Sequence, residues 1–202
     1  MFGVVRELGL TRDHLALVGA IAVEWSAVEF KLQSLLSTLI AKDYGLGLSA
    51  TSNMGYKSIV ATLRTLAGSA TASIPTFNSQ IAALLDEAER LQILRNAIVH
   101  ASWDSAGANG GMNAQVARFK GKLKNYVELW SREQLEQIAS DCGELLSALH
   151  EFMQAHELND EIENFQSRQA SLGTRHVRQP AVVQPRNPKV EAALHQLLAS
   201  RR

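Results

Sequence analysis

Between Val18 and Leu39, apolar side chains return at alternating steps of three and four: Val18, Ile21, Trp25, Val28, Leu32, Leu35 and Leu39. That period places them on one face of an α-helix and fits no strand. Ala22, Leu36 and Ile40 widen the stripe to the breadth of a core-facing helix. So long a run must bury itself against other elements, which commits the chain to helix-on-helix packing. Thr11 or Asp13 suits the N-cap, and the helix is predicted to reach about Lys42.

The rest of the chain repeats the theme. Residues 44–55 are rich in Gly, Ser, Thr and Asn and read as a loop. A shorter helix is predicted over 56–67, with Tyr56, Ile59, Val60, Leu63 and Leu66 on one side and Gly68 as its stop. After a connector at 69–75, a third helix is predicted over 76–100, its stripe formed by Ile81, Leu84, Leu85, Ala88, Leu91, Leu94 and Ile98. Ser131 with Gln134 makes a capping box for the last long helix, striped by Leu135, Ile138, Cys142, Leu145, Leu149 and Phe152.

Before that last helix the period changes. Ala108-Asn109-Gly110-Gly111 is a turn signal, flanked by residues 102–105 and by a segment over 114–129, which predicts a β-hairpin. Beyond Leu158 the pattern lapses, and Pro180, Pro185 and Pro188 accumulate. Residues 159–187 read as a flexible linker, and 188–202 as a short amphipathic helix with Val190, Leu194 and Leu197 on one side. The expected fold is all-α: an up-and-down bundle of about four helices over 1–158, with a small β-hairpin insertion and a flexible basic C-terminal tail.

Composition narrows the function. The 202 residues carry no net charge, but residues 167–202 hold seven basic side chains and one acid, while the remainder holds thirteen and nineteen. A basic tail on an acidic body suggests self-docking or a polyanionic partner. The single cysteine, Cys142, excludes an internal disulfide and a Cys-rich zinc site, and suits a cytoplasmic protein. The longest apolar run, 15–23, is too short to span a membrane, so no membrane partner is expected. Ala20-Ile21-Ala22 resembles a signal cleavage site, but Arg6, Glu7, Arg12 and Asp13 before it carry no net positive charge, and the helical register continues past it.

The segment Leu94-Arg95-Asn96-Ala97-Ile98-Val99-His100-Ala101-Ser102-Trp103 is the most informative. Arg95 takes the next place in the row of Ile81 and Ala88, seven residues on each time, so a cation occupies a position where an apolar side chain is due. It must find a carboxylate, a phosphate, a subunit boundary or water. Asn96 and His100 share a face. Arg95 and His100 stand about 140° apart on an ideal helix. They converge only if Arg95 reaches round, if the helix frays near His100, or if two copies meet. A purely structural account is open as well. His100 suits the dipole at a helix C-terminus, Asn96 can bond the next loop, and Arg95 can pair with Glu24 or Glu29.

Arg118, Lys120, Lys122 and Lys124 alternate with Phe119, Gly121 and Leu123. In one extended strand they would line a face at about 6.6 Å intervals, as a phosphate track or as a lysine-protected edge, and a bulge at Gly121 would split the row. Trp25, Trp103 and Trp130 could stack on bases, but their positions suit the core. The histidines lack metal-ligand spacing, and neither a Walker loop nor a Gly-x-Ser-x-Gly elbow is present, so no cofactor or metal is expected.

Arg95, Asn96 and His100 near the end of a helix, in an all-α chain, resemble the motif of the HEPN superfamily. Its pattern is an Arg, four to six residues, then a His, usually with a polar residue directly after the Arg. In helix order the likeness covers about residues 11–157. It implies a metal-independent endoribonuclease, of toxin or phage-defence type, that acts as a homodimer whose two motifs form one cleft. His100 would be the acid or base, Arg95 the phosphate clamp, and Asn96 would orient His100 or the scissile phosphate. It further implies RNA as substrate and an antitoxin or defence-system protein as partner. The hairpin and basic tail depart from a compact toxin. The alternative expectation is a non-catalytic helical interaction or RNA-binding module of a bacterial or phage system.

Overall fold

A computed structural model describes residues 12–69, 75–104, 112–119 and 123–171. The chain divides into two units, Met1–Gln166 and Ser167–Arg202; of the second, the described residues are 167–171. The described residues are mostly helical, in line with the all-α expectation. Their elements are α1 (Arg12–Ile40), α2 (Tyr44–Thr51), α3 (Tyr56–Ser69), α4 (Pro75–Val99), β1 (Ser102–Asp104), β2 (Met112–Phe119), β3 (Leu123–Trp130), α5 (Arg132–Ala155) and α6 (Asp160–Ser171).

The stripes read from the sequence face one core. Ile21, Trp25, Val28, Leu32, Leu35 and Leu36 of α1 are fully buried with Ile81, Leu85, Ala88, Leu91 and Ile98 of α4, and Leu135, Cys142 and Leu149 of α5. Each aliphatic side chain removed from water in this way contributes about 1.5–3 kcal/mol. Helix α1 packs against α2, α3, α4 and α5, and α4 also packs against α3 and α5. The Trp25 and Tyr56 rings meet at 5.3 Å, and Phe77 meets Phe152 at 5.1 Å. The Ser131 capping box is formed: Gln134 N donates to Ser131 Oγ at 3.2 Å, and Ser131 N to Gln134 Oε1 at 2.8 Å.

Residues 44–51, expected as loop, are instead a helix. Asp43 caps it by accepting from Leu46 N at 3.0 Å, and its Tyr44 and Thr51 are buried against α1. Ser34 and Tyr44 share a hydrogen bond of 3.0 Å, Ser37 and Thr51 one of 2.9 Å, and Gln33 Nε2 donates to the Thr51 carbonyl at 3.1 Å. This buried seam is satisfied by its own partners, so it costs little to bury. Gly47 makes the approach possible, since a Cβ there would collide with the Ser37 carbonyl.

The stretch 159–187, expected as flexible linker, opens with helix α6. Acids in its first turn (Asp160, Glu161, Glu163) and Arg168 in its last suit the helix dipole. Two apolar residues anchor it: Ile162 packs on the core, and Phe165 meets Tyr44 edge-on at 5.3 Å, over the space that Gly45 leaves free. Residues 172–187 and the amphipathic segment 188–202 lie outside the described residues.

Between α4 and α5 the strands stand in the order β1-β2-β3, each pair antiparallel. Residues 114–129, expected as one arm of a hairpin, contribute instead to two strands. The chain reverses between Phe119 and Leu123, where three residues with Gly121 at their centre suit a short connection. The turn signal at 108–111 lies outside the described residues.

Candidate functional site

Helix α4 ends at Val99, and His100 falls in the turn that follows. The cause is local. The Trp103 indole Nε1 donates to the Ile98 carbonyl at 3.1 Å, satisfying one of the acceptors that a helix C-terminus leaves open. Trp103 also packs with Ala97, Ala101 and Trp130, which ties the start of the sheet to the end of the helix.

His100 N still donates to the Asn96 carbonyl at 3.3 Å, as in a helix, and the Arg95 and His100 side chains nonetheless meet. Arg95 Nη1 donates to Asn96 Oδ1 at 2.9 Å and lies 3.3 Å from His100 Nε2. A guanidinium has only donors, so Nε2 must be the acceptor in this contact and Nδ1 must carry the proton. All three motif side chains therefore converge within one chain. Arg95 and Asn96 are half-buried and His100 is exposed. Glu24 and Glu29, considered as partners for Arg95, form no ion pair with it, and no other carboxylate does so among the described residues. Its Nε is shielded and without a hydrogen-bond partner.

A cleft of about 470 Å³ is lined by Ile93, Leu94 and Ala97 of α4, Glu128, Leu129 and Trp130 of β3, and Gln134 of α5, and by none of the three motif residues. Ile93 and Leu129 are more than half exposed. A larger open groove, about 790 Å³, runs between α4 and α5 away from the motif, over Leu84, Leu145 and Phe152. Its one lining cation, Arg90, is held by Glu87 at 2.6 Å and by Asp141, so it is already neutralised. The motif, with a guanidinium free of carboxylates, suits a phosphate better than the larger groove does.

The described part of the basic row is shared between two strands. Arg118 in β2 and Lys124 in β3 are cross-strand partners, placed opposite one another by the chain reversal rather than along one strand. Lys120 and Lys122 lie outside the described residues. The three tryptophans belong to the packing: Trp25 is fully buried, and Trp103 and Trp130 are half-buried against the core. Among the described residues no group of three or more His, Cys, Asp or Glu side chains is placed to hold a metal ion, and no helix is long and apolar enough to cross a membrane.

The residue that reading the motif alone misses is Trp103, whose indole bonds the Ile98 carbonyl at the C-terminal end of α4. The signal available was a tryptophan three residues after the histidine. No family model, curated protein or solved structure matches this chain.

Proposed function

We propose that the chain is a HEPN-like endoribonuclease that cleaves RNA without a metal, with His100 as acid or base, Arg95 as phosphate clamp and Asn96 holding the guanidinium. The observation that carries this reading is the convergence of Arg95, Asn96 and His100 in one chain, around a guanidinium that has no carboxylate partner among the described residues. A shielded, unpartnered guanidinium nitrogen costs on the order of 1–3 kcal/mol, which a phosphate oxygen would relieve.

The chemistry follows from the tautomer. When a scissile phosphate draws Arg95 Nη1 away, the His100 Nε2 lone pair is freed to take the proton of a ribose 2′-hydroxyl. The 2′-oxygen then bonds to phosphorus, the P–O5′ bond breaks, and the leaving oxygen takes a proton from His100 or water. Arg95 stabilises the negative charge that develops on the phosphate. The products are a 2′,3′-cyclic phosphate and a free 5′-hydroxyl. Arg118 and Lys124, with Lys120 and Lys122 of the intervening segment, would supply sequence-independent attraction to the RNA backbone. We read the long helices as an up-and-down bundle, and the protein as a cytoplasmic homodimer of toxin or phage-defence type with an antitoxin or defence protein as partner.

The test is incubation of the purified protein with RNA in the presence of a chelator, beside His100→Ala and Arg95→Ala. The expected result is cleavage leaving cyclic phosphate ends, reduced by a factor of about 10²–10⁴ in each variant. Intact RNA with the wild type at every salt and pH, or equal cleavage by all three proteins, would end the catalytic reading. Binding of RNA without cleavage would favour the non-catalytic module.

A further inference from the structure

The cleft walled by α4, β3 and α5 has the makings of a nucleobase site. Its volume, about 470 Å³, falls in the range of small-ligand pockets. Ile93, Ala97, Leu129 and the Trp130 indole give it apolar walls. Ile93 and Leu129 remain 56% and 59% exposed, so these walls have apolar surface left to cover. A base has a flat face that such walls take up and a polar edge that they leave to be read.

Two polar side chains also line the cleft, and they are opposite in kind. The Glu128 carboxylate is half-buried and forms no ion pair among the described residues. Ionised, it can only accept hydrogen bonds. Gln134 is the reverse. Its Oε1 is already taken by Ser131 N at 2.8 Å, which fixes the amide and leaves Nε2 to donate.

The cleft is also within reach of the motif. Ala97 lines it, and His100 lies three residues further on. Because His100 N still bonds the Asn96 carbonyl, helical geometry holds that far. At about 100° per residue His100 stands about 60° from Ala97, and Arg95 about 160° from it. Of the two reactive side chains, the histidine is therefore the one on the side of the cleft, about 5–6 Å along from Ala97.

Resting on the ribonuclease reading, we propose that this cleft holds the base of the nucleotide whose 2′-hydroxyl His100 deprotonates, and that it selects guanine. A carboxylate in an RNA site repels phosphate, so it belongs there only where a base meets it with donors. Guanine presents N1–H and an N2 amino group side by side, one for each carboxylate oxygen, and its O6 next to them accepts from Gln134 Nε2. Uracil has one N–H between two carbonyls. Adenine and cytosine set an amino group beside a ring nitrogen, whose lone pair would face the second carboxylate oxygen.

The test titrates the full chain, by calorimetry, with the 3′-monophosphates of guanosine, adenosine, cytidine and uridine. The guanylate should bind about 10–100-fold more tightly than the others. Glu128→Gln should lose that advantage and favour adenylate, whose amino group and ring nitrogen suit an amide, with the helical signal unchanged. Ile93→Ala, which shortens a wall, should weaken all four by a similar factor. On RNA, the cyclic phosphate should be left on guanosine. Equal affinities, no binding of any nucleotide up to its solubility limit, or a guanine preference that survives Glu128→Gln would each overturn the proposal. Cleavage that leaves cyclic phosphate on all four nucleosides also overturns it, while sustaining the ribonuclease reading. A guanylate preference in a protein that cuts no RNA does the opposite: the base site stands and catalysis falls.

Discussion

Helices α1 and α5 bury equivalent stripes in one core and pack directly against each other, yet their outer faces have nothing in common. Along α5 the exposed positions include Arg132, Glu133, Glu136, Gln137, Glu144, His150 and Glu151, the polar coat of a helix that ends at water. Between residues 15 and 30 none of the exposed positions of α1 is charged, and its two acids there, Glu24 and Glu29, are half-buried. Because the inner faces do the same work, the contrast lies in the outer faces alone.

The comparison breaks first at the inner faces, which should be equally intolerant. Trp25→Ala on α1 should cost about 3–5 kcal/mol and Leu145→Ala on α5 about 2–5 kcal/mol, measured by urea denaturation. A markedly smaller loss on one side would show that the two helices do not share one core. At the outer faces, by contrast, both helices should tolerate the same substitution. Ala20→Lys and Ser147→Lys should each change stability by no more than about 0.5 kcal/mol. A larger loss at either site would show that its face is packed rather than exposed.

A smaller effect sharpens the account of α1 where it meets α2. Gly47→Ala should destabilise by about 1–3 kcal/mol, because the added methyl meets the backbone carbonyl of Ser37 rather than a movable side chain. Gly19→Ala, on the open face, should leave the monomer as stable or slightly more so, since alanine is the better helix former. The two substitutions together separate a glycine needed for close approach from one that is not.

The smallest effects are electrostatic. Burial alone would raise the Asp141 carboxyl, but hydrogen bonds from Gln137 and Arg90, and the Arg90 charge, outweigh it and hold the group below its ordinary range. A carboxyl depressed in the folded state adds stability above its unfolded value and loses it as pH falls through the folded one. Melting temperature should therefore drop slightly below about pH 4, and Asp141→Asn should remove that part of the drop. Burial pushes the neighbouring Cys142 thiol up to about 11, with the Asp141, Glu24 and Glu87 charges adding to it. A thiol reagent at neutral pH should label Cys142 only as the chain unfolds.

Much of the architecture was legible because apolar spacing is a strong signal in long helices. Every stripe assigned to α1, α3, α4 and α5 faces the core, fully or in part. Helix α2 was not legible. Its Gly, Ser and Thr residues look like loop until α1 is present to receive their hydrogen bonds, and composition carries no trace of a partner. Helix α6 was missed for a related reason, since two anchoring residues make no stripe. At the motif, spacing named Arg95, Asn96 and His100 but left open whether Arg95 reaches round, the helix frays or two copies meet, because spacing does not fix how a long side chain is turned.

The bond from Trp103 to Ile98 has a consequence for how this protein could diversify. The strand that carries Trp103 is bonded to the last turn of the helix that carries Arg95, at Ile98, two residues before His100. Lengthening, shortening or tugging the strands would pull on that turn, and so on the histidine that follows it. An insertion that looks like ornament is thus a handle on the geometry of the motif, and the place where a bound partner could tune it without touching it.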